Sequence, residues 1–92
     1  MELELRFFAN FREAVGQKTI TREFEGETVT VADAVDAIES EFPEIEILDE
    51  DGALRDFVRT LRNGREVAHL EGLETVLDDG DTLSIFPPVA GG

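Results

Sequence analysis

Thr30-Val31-Ala32-Asp33-Ala34-Val35-Asp36-Ala37-Ile38-Glu39-Ser40-Glu41-Phe42-Pro43 is the stretch on which the fold turns. Thr30 and Asp33 have the spacing at which a threonine oxygen accepts from a free N–H of a first helical turn. Val31, Ala34, Val35, Ile38 and Phe42 then recur at helical spacing and share one face. Asp33, Asp36, Glu39 and Glu41 fall mostly on the other side, where water solvates them. Pro43 stops the run, because it has no N–H to give and its ring crowds the preceding turn. The pattern predicts an amphipathic helix beginning near Val31, and its apolar stripe must be buried against something.

The flanking sequence supplies a sheet. Glu2-Leu3-Glu4-Leu5-Arg6-Phe7 alternates polar and apolar, as a half-buried strand does, and Phe8 adds an aromatic to the opposite face. Asn10 to Val15 reads as a short helical turn closed by Gly16, and Ile20 to Phe24 as a second strand in a hairpin with the first. Residues 44–56 read as a loop turning at Asp49-Glu50-Asp51-Gly52. Phe57 to Leu61 and Arg65 to Ala68 are expected to pair as strands across Asn63-Gly64, a dipeptide suited to a type I′ turn with φ > 0 at both positions. After the Asp78-Asp79-Gly80-Asp81 turn, Thr82 to Phe86 is a last strand with Leu83 and Ile85 on one face. Pro87-Pro88 end it, since neither donates to a ladder. Hairpin, helix, hairpin and final strand predict an α+β domain over residues 1–86, a mixed sheet of four or five strands packed on one main helix. An extended, flexible tail is expected over residues 87–92.

The 92-residue chain holds 22 acidic and 8 basic residues, for a formal charge of −14. Such a charge repels nucleic-acid backbones and anionic membranes, so neither is an expected partner. Hydrophobic residues at 41% are enough for a core. With no cysteine, the chain has no disulfide, thiolate metal site or cysteine nucleophile. The N-terminus lacks the basic start and apolar run of a signal peptide, and no stretch has the length of a membrane span, so the expected location is the cytoplasm. Lys18 is the sole lysine. An acidic, lysine-poor surface suits a high-salt cytoplasm, where carboxylates stay hydrated and their repulsion is screened.

Little in the sequence points to a catalytic site, and none is expected. His69 is the only histidine, neither Ser40 nor Ser84 sits in a Gly-x-Ser-x-Gly elbow, and the expected place of His69 is an exposed strand end. One histidine without cysteine does not make a zinc site. Asp49-x-Asp51 resembles the start of a calcium loop, but Gly52 comes two positions too early; Asp78 to Asp81 fails similarly, and both are expected to be solvated turns. No metal and no bound cofactor are expected.

The segment that invites a chemical reading is Pro87-Pro88-Val89-Ala90-Gly91-Gly92. Six extended residues reach about 20 Å. Two prolines stiffen the exit from a strand, and two glycines without Cβ atoms pass through a channel too narrow for other residues. A carboxylate at the end of such a tail is a poor electrophile, so using it requires ATP and an acyl-adenylate, open to attack by a sulfur donor or an amine. The residues alone leave this reading open beside that of a frayed terminus.

Asp79-Gly80-Asp81 followed by Leu83-Ser84-Ile85-Phe86-Pro87-Pro88-Val89-Ala90-Gly91-Gly92 resembles the C-terminus of the β-grasp, ubiquitin-like sulfur carriers, a group that includes the small subunit of molybdopterin synthase and the small archaeal modifier proteins. Phe8 to Gly16 is similar to the end of the group's first strand and its following helical turn, and Arg62-Asn63-Gly64 to its central hairpin. The resemblance implies a ubiquitin-like β-grasp fold, a haloarchaeal type of surface, and no catalytic machinery in the chain itself. It implies that Gly92 is adenylated by an E1-like enzyme using Mg·ATP, with Gly91, Ala90, Val89, Pro88 and Pro87 recognised as the tail. The adenylate becomes an isopeptide bond to a lysine of a target protein, or a thiocarboxylate. It further implies a docking patch of Phe8, Leu61 and Phe86 on the outer sheet face, and Lys18 as a candidate acceptor of self-modification. The expected partners are the activating enzyme, lysine-bearing targets and the large subunit of molybdopterin synthase, with a monomer when free. The expected function is a protein modifier that retains sulfur-carrier capacity. A dedicated carrier for molybdopterin synthesis or tRNA thiolation, and a plain interaction module with an idle tail, are the alternatives.

Overall fold

A computed structural model describes residues 1–88. The expectations for Val89, Ala90, Gly91 and Gly92 lie outside the described residues. The chain runs β1 (Glu2–Phe7), α1 (Ala9–Val15), β2 (Thr19–Glu23), β3 (Val29–Thr30), α2 (Val31–Glu41), β4 (Arg59–Arg62), β5 (Arg65–Glu66), β6 (Val76–Leu77) and β7 (Thr82–Phe86). Five strands form one sheet in the order β2-β1-β7-β4-β5. The central strand, β7, runs parallel to its neighbour β1, with Phe7 opposite Ile85; the other pairs are antiparallel. This is the expected mixed sheet of a β-grasp, and α2 packs across one face of it.

Alternation within the strands decides what the helix meets. Leu3, Leu5, Phe7, Leu83 and Ile85 are buried on the inner face, together with Val31, Ala34, Val35 and Ile38 of α2. Phe42, at the end of the helix, is half-buried and sets its ring edge-on to Phe7 with centroids 6.2 Å apart. The start of α2 closes as its sequence implies. Asp33 N–H donates to Thr30 Oγ1 (3.3 Å) and the Asp33 carboxylate accepts from Thr30 N–H (2.9 Å), satisfying two donors that a helix start otherwise leaves free. Arg22 lies on the helix side of β2 and donates to Glu41 in the last turn of α2, tying the sheet edge to the helix end.

Four differences from the sequence reading are structural findings. Ile45 and Ile47 are fully buried although their segment is neither helix nor strand. The Glu39 carboxylate accepts from the N–H groups of Ile47 (2.8 Å) and Leu48 (3.1 Å) and holds the segment against the helix. The strand expected from Phe57 begins only at Arg59, because Arg55 to Val58 is a closed turn in which Val58 N–H donates to Arg55 C=O (3.2 Å). The return strand expected to Ala68 ends at Glu66 and gives way to a 3-10 turn over Val67–His69. His69 is exposed, as expected, but at the end of that turn. Finally, β3 and β6 form a small second sheet, Val29 opposite Leu77, which braces the start of α2.

Candidate functional site

The outer face of the sheet gathers aromatics where the chain leaves it. Phe8 follows β1 and Phe86 ends β7; the parallel register that sets Phe7 beside Ile85 carries the next pair side by side. Their rings stack with centroids 4.1 Å apart and planes 10° apart. Phe8 is placed twice over. It is the extended residue before α1, and its carbonyl accepts from Phe11 N–H (3.1 Å) and Arg12 N–H (3.3 Å) at the start of that helix. Gly16, at φ +87°, ends α1 in a left-handed conformation that a Cβ would disfavour. The chain can then turn back toward Lys18, whose Nζ sits 5.8 Å from the centre of the Phe8 ring, within cation–π range.

Phe8, Phe86, Pro87 and Pro88 line an apolar groove of about 540 Å³, completed by Ala9, Phe57 and Arg59. Pro87 is buried and Pro88 exposed, so the described chain ends at the mouth of the groove. Leu61 does not line it. Leu61 faces outward on β4 opposite Ser84, half-buried, and Arg59 is the β4 residue opposite Phe86. Two of the three expected patch residues are thus brought into direct contact and the third lies one step along the sheet. Sequence reasoning missed Phe57. Placed in a strand, it looked like one more alternating residue, whereas the structure exposes it at 82%. The signal available was the break in apolar alternation at Arg55-Asp56 just before it.

The start of β7 is fixed by an acidic turn that is more than a solvated loop. Asp81 is 9% exposed, which departs from the solvated turn expected over Asp78 to Asp81. Its carboxylate accepts from Arg62 Nε (2.8 Å), Asn63 Nδ2 (2.9 Å) and Asp78 N–H (2.7 Å). Burial alone would push this carboxyl up; the Asp78 N–H, the Asn63 amide and the Arg62 guanidinium outweigh it and hold the group below the usual carboxylate range. Asn63 Oδ1 in turn accepts from Thr82 N–H (2.9 Å), so the β4–β5 turn and the first residue of β7 are one unit. Asn63 (φ +48°) and Gly64 (φ +87°) take the left-handed conformations their turn requires.

Among the described residues no three His, Asp or Glu side chains are grouped to hold a metal ion. His69 Nε2 lies 3.9 Å from the Glu66 carboxylate, its one ion-pair neighbour among the described residues. No helix of the described residues is long and apolar enough to cross a membrane.

What remains as chemically distinctive is a stiff chain exit beside an apolar groove, on a β-grasp body. Residues 5–92 match the ThiS family. The chain belongs to that family. As a ThiS-family chain it is 54% identical, over 100% of both sequences, to small archaeal modifier protein 3 of Haloferax volcanii. It is similar to the crystal structure of SAMP1 from Haloferax volcanii, with a TM-score of 0.85 and 35% identity over 100% of both chains. It is also similar to a chain in the crystal structure of the BexX/CysO complex of Amycolatopsis orientalis. That TM-score is 0.78, with 33% identity over 98% of this chain and 99% of the other. The ThiS-family match spans Phe8, Phe57 and Phe86 of the aromatic groove and the whole of β7.

Proposed function

We propose that this ThiS-family chain is a ubiquitin-like protein modifier with sulfur-carrier capacity, a co-substrate without catalytic residues of its own. The observation that carries this reading is the end-to-end likeness to a small archaeal modifier protein, 54% identical with both sequences fully covered. An E1-like enzyme using Mg·ATP transfers AMP to the Gly92 carboxylate and releases pyrophosphate. A target lysine amine then attacks the acyl carbon, AMP leaves, and an isopeptide bond remains; a sulfur donor in place of the amine leads to a thiocarboxylate. Gly91 keeps the approach narrow, and Pro87, Pro88, Val89 and Ala90 present the end to the enzyme. Membership of the ThiS family and the likeness to a chain of the BexX/CysO complex favour the carrier capacity. The partners of this reading are the activating enzyme, lysine-bearing targets and, for sulfur delivery, a large subunit of the molybdopterin synthase kind. Its setting is the cytoplasm, and Lys18 is available as an acceptor.

The test is pyrophosphate release with an E1-like enzyme and ATP. The intact chain releases it, and a chain lacking Gly91-Gly92 does not, because its end is retracted by about 7 Å. Equal release from both chains removes the proposal. Release that requires the tail, with no Gly-Gly remnants on cellular lysines that map to it, leaves the carrier function alone.

A further inference from the structure

Phe57 is held in a conformation its side chain disfavours. It is the third residue of the Arg55–Val58 turn at φ +71°, a position where type II turns place glycine or asparagine. It is also 82% exposed, so burial among the described residues does not compensate for the strain. Such outliers persist where they serve a site. Phe57 stands between two grooves and lines both. One is the apolar groove of Phe8 and Phe86; the other, of about 550 Å³, is edged by Glu44, Glu46, Asp49 and Asp56. Arg55 offsets part of that charge through Glu46 (3.5 Å), whereas Glu44 and Asp56 take part in no ion pair among the described residues. Among the described residues, Pro88 is the only other one shared by the two grooves.

We infer that Phe57 is the anchor by which the activating enzyme grips the body of this protein. The enzyme sets an apolar side chain against Phe8 and Phe86 on one side of the ring, and a lysine or arginine against Glu44 and Asp56 on the other. This rests on the proposed activation of Gly92. The occupant follows from reach. Gly92 is the fourth residue after Pro88, at most about 14 Å of chain, so whatever handles Gly92 covers the place where both grooves open. The charge of its contact follows from the acidic edge. An exposed aromatic that fills a partner pocket is the residue type that dominates such contacts.

The experiment is steady-state pyrophosphate release with the full chain as the varied substrate, alongside thermal melts of each variant. Phe57→Gly relieves the left-handed strain and melts at or above the wild-type temperature, while its KM rises about tenfold or more with kcat nearly unchanged. Phe57→Ser behaves alike in KM. Glu44→Gln with Asp56→Asn raises KM by roughly threefold and weakens its dependence on salt. Leu70→Ser, away from both grooves, leaves KM at the wild-type value. An unchanged KM in Phe57→Gly overturns the docking inference while the activation reading stands. No pyrophosphate release from the wild-type chain overturns both. A purely structural role for Phe57 would show a lowered melting temperature together with the higher KM, and that outcome also overturns the inference.

Discussion

Two residues, Asp81 and Thr60, show how far single positions decide this fold. Asp81 gathers three donors from two turns at the start of β7, one of them the Arg62 guanidinium. Asp81→Asn loses the charge-assisted bond and turns an NH2 group toward donors, which costs about 1.5–3 kcal/mol in urea unfolding. Because the folded carboxyl is held below its ordinary value, the stability it contributes is complete above roughly pH 4 and is lost as pH falls through the lower folded value. The acid side of the stability–pH curve is accordingly shallower in Asp81→Asn. Thr60 is the opposite case. It is 2% exposed on the inner face of β4 and its Oγ1 has no hydrogen-bond partner among the described residues. Thr60→Val replaces that hydroxyl with a methyl of similar size and raises stability by about 1 kcal/mol, read as a higher urea midpoint with unchanged slope. Nothing in the sequence around Asp81 separates it from Asp78 and Asp79. The partners that bury it are Arg62 and Asn63, 18 or 19 positions away.

The elements divide by whether a period encodes them. The period of α2 and the Thr30/Asp33 spacing are local, and the structure shows both the buried stripe and the reciprocal cap. Thr30→Ala leaves the Asp33 N–H without its acceptor and costs about 1 kcal/mol. Ile38→Ala, in the middle of the stripe, costs about 2–5 kcal/mol. The segment from Pro43 to Val58 has no period to read. Its order comes from the Glu39 carboxylate, a bridge between Leu48 and Leu54, and Asp49 accepting from Asp51 and Ala53 N–H groups. Ile47→Ala is therefore as costly as a core helix substitution, about 2–5 kcal/mol by thermal or urea unfolding, despite lying outside any helix or strand. The start of β4 escapes the sequence pattern for the same reason. Phe57 and Val58 have strand-like side chains, but the hydrogen bond from Val58 to Arg55 takes them into a turn. On the other side, β5 stops early because Val67 turns inward to the core at the start of a 3-10 turn.

At the scale of the molecule, charge and topology are determined separately. The formal charge is −14, and most arginines are already committed to acidic neighbours: Arg6 to Glu4, Arg22 to Glu41, Arg59 to Glu66 and Arg62 to Asp78 and Asp81. The remaining carboxylates repel one another, so raising salt from low to molar concentration raises the thermal midpoint; without Trp or Tyr the transition is followed by circular dichroism. A midpoint that is flat or falls would show that attractive pairs outweigh the repulsion. The sequence by itself determined the alternation of β1 and β7, the stripe and cap of α2, the Asn63-Gly64 turn, the acidic surface and the Pro-Pro-Val-Ala-Gly-Gly ending. Each of these depends on neighbours a few residues apart, so spacing records it. Only the tertiary structure decided that β1 and β7 lie parallel at the centre, that Phe8 stacks on Phe86 while Leu61 stands one step away, and that Phe57 rises between two grooves at the chain exit. Those relations join residues as many as 78 positions apart, and they follow from packing the sheet against one helix, which no local period carries.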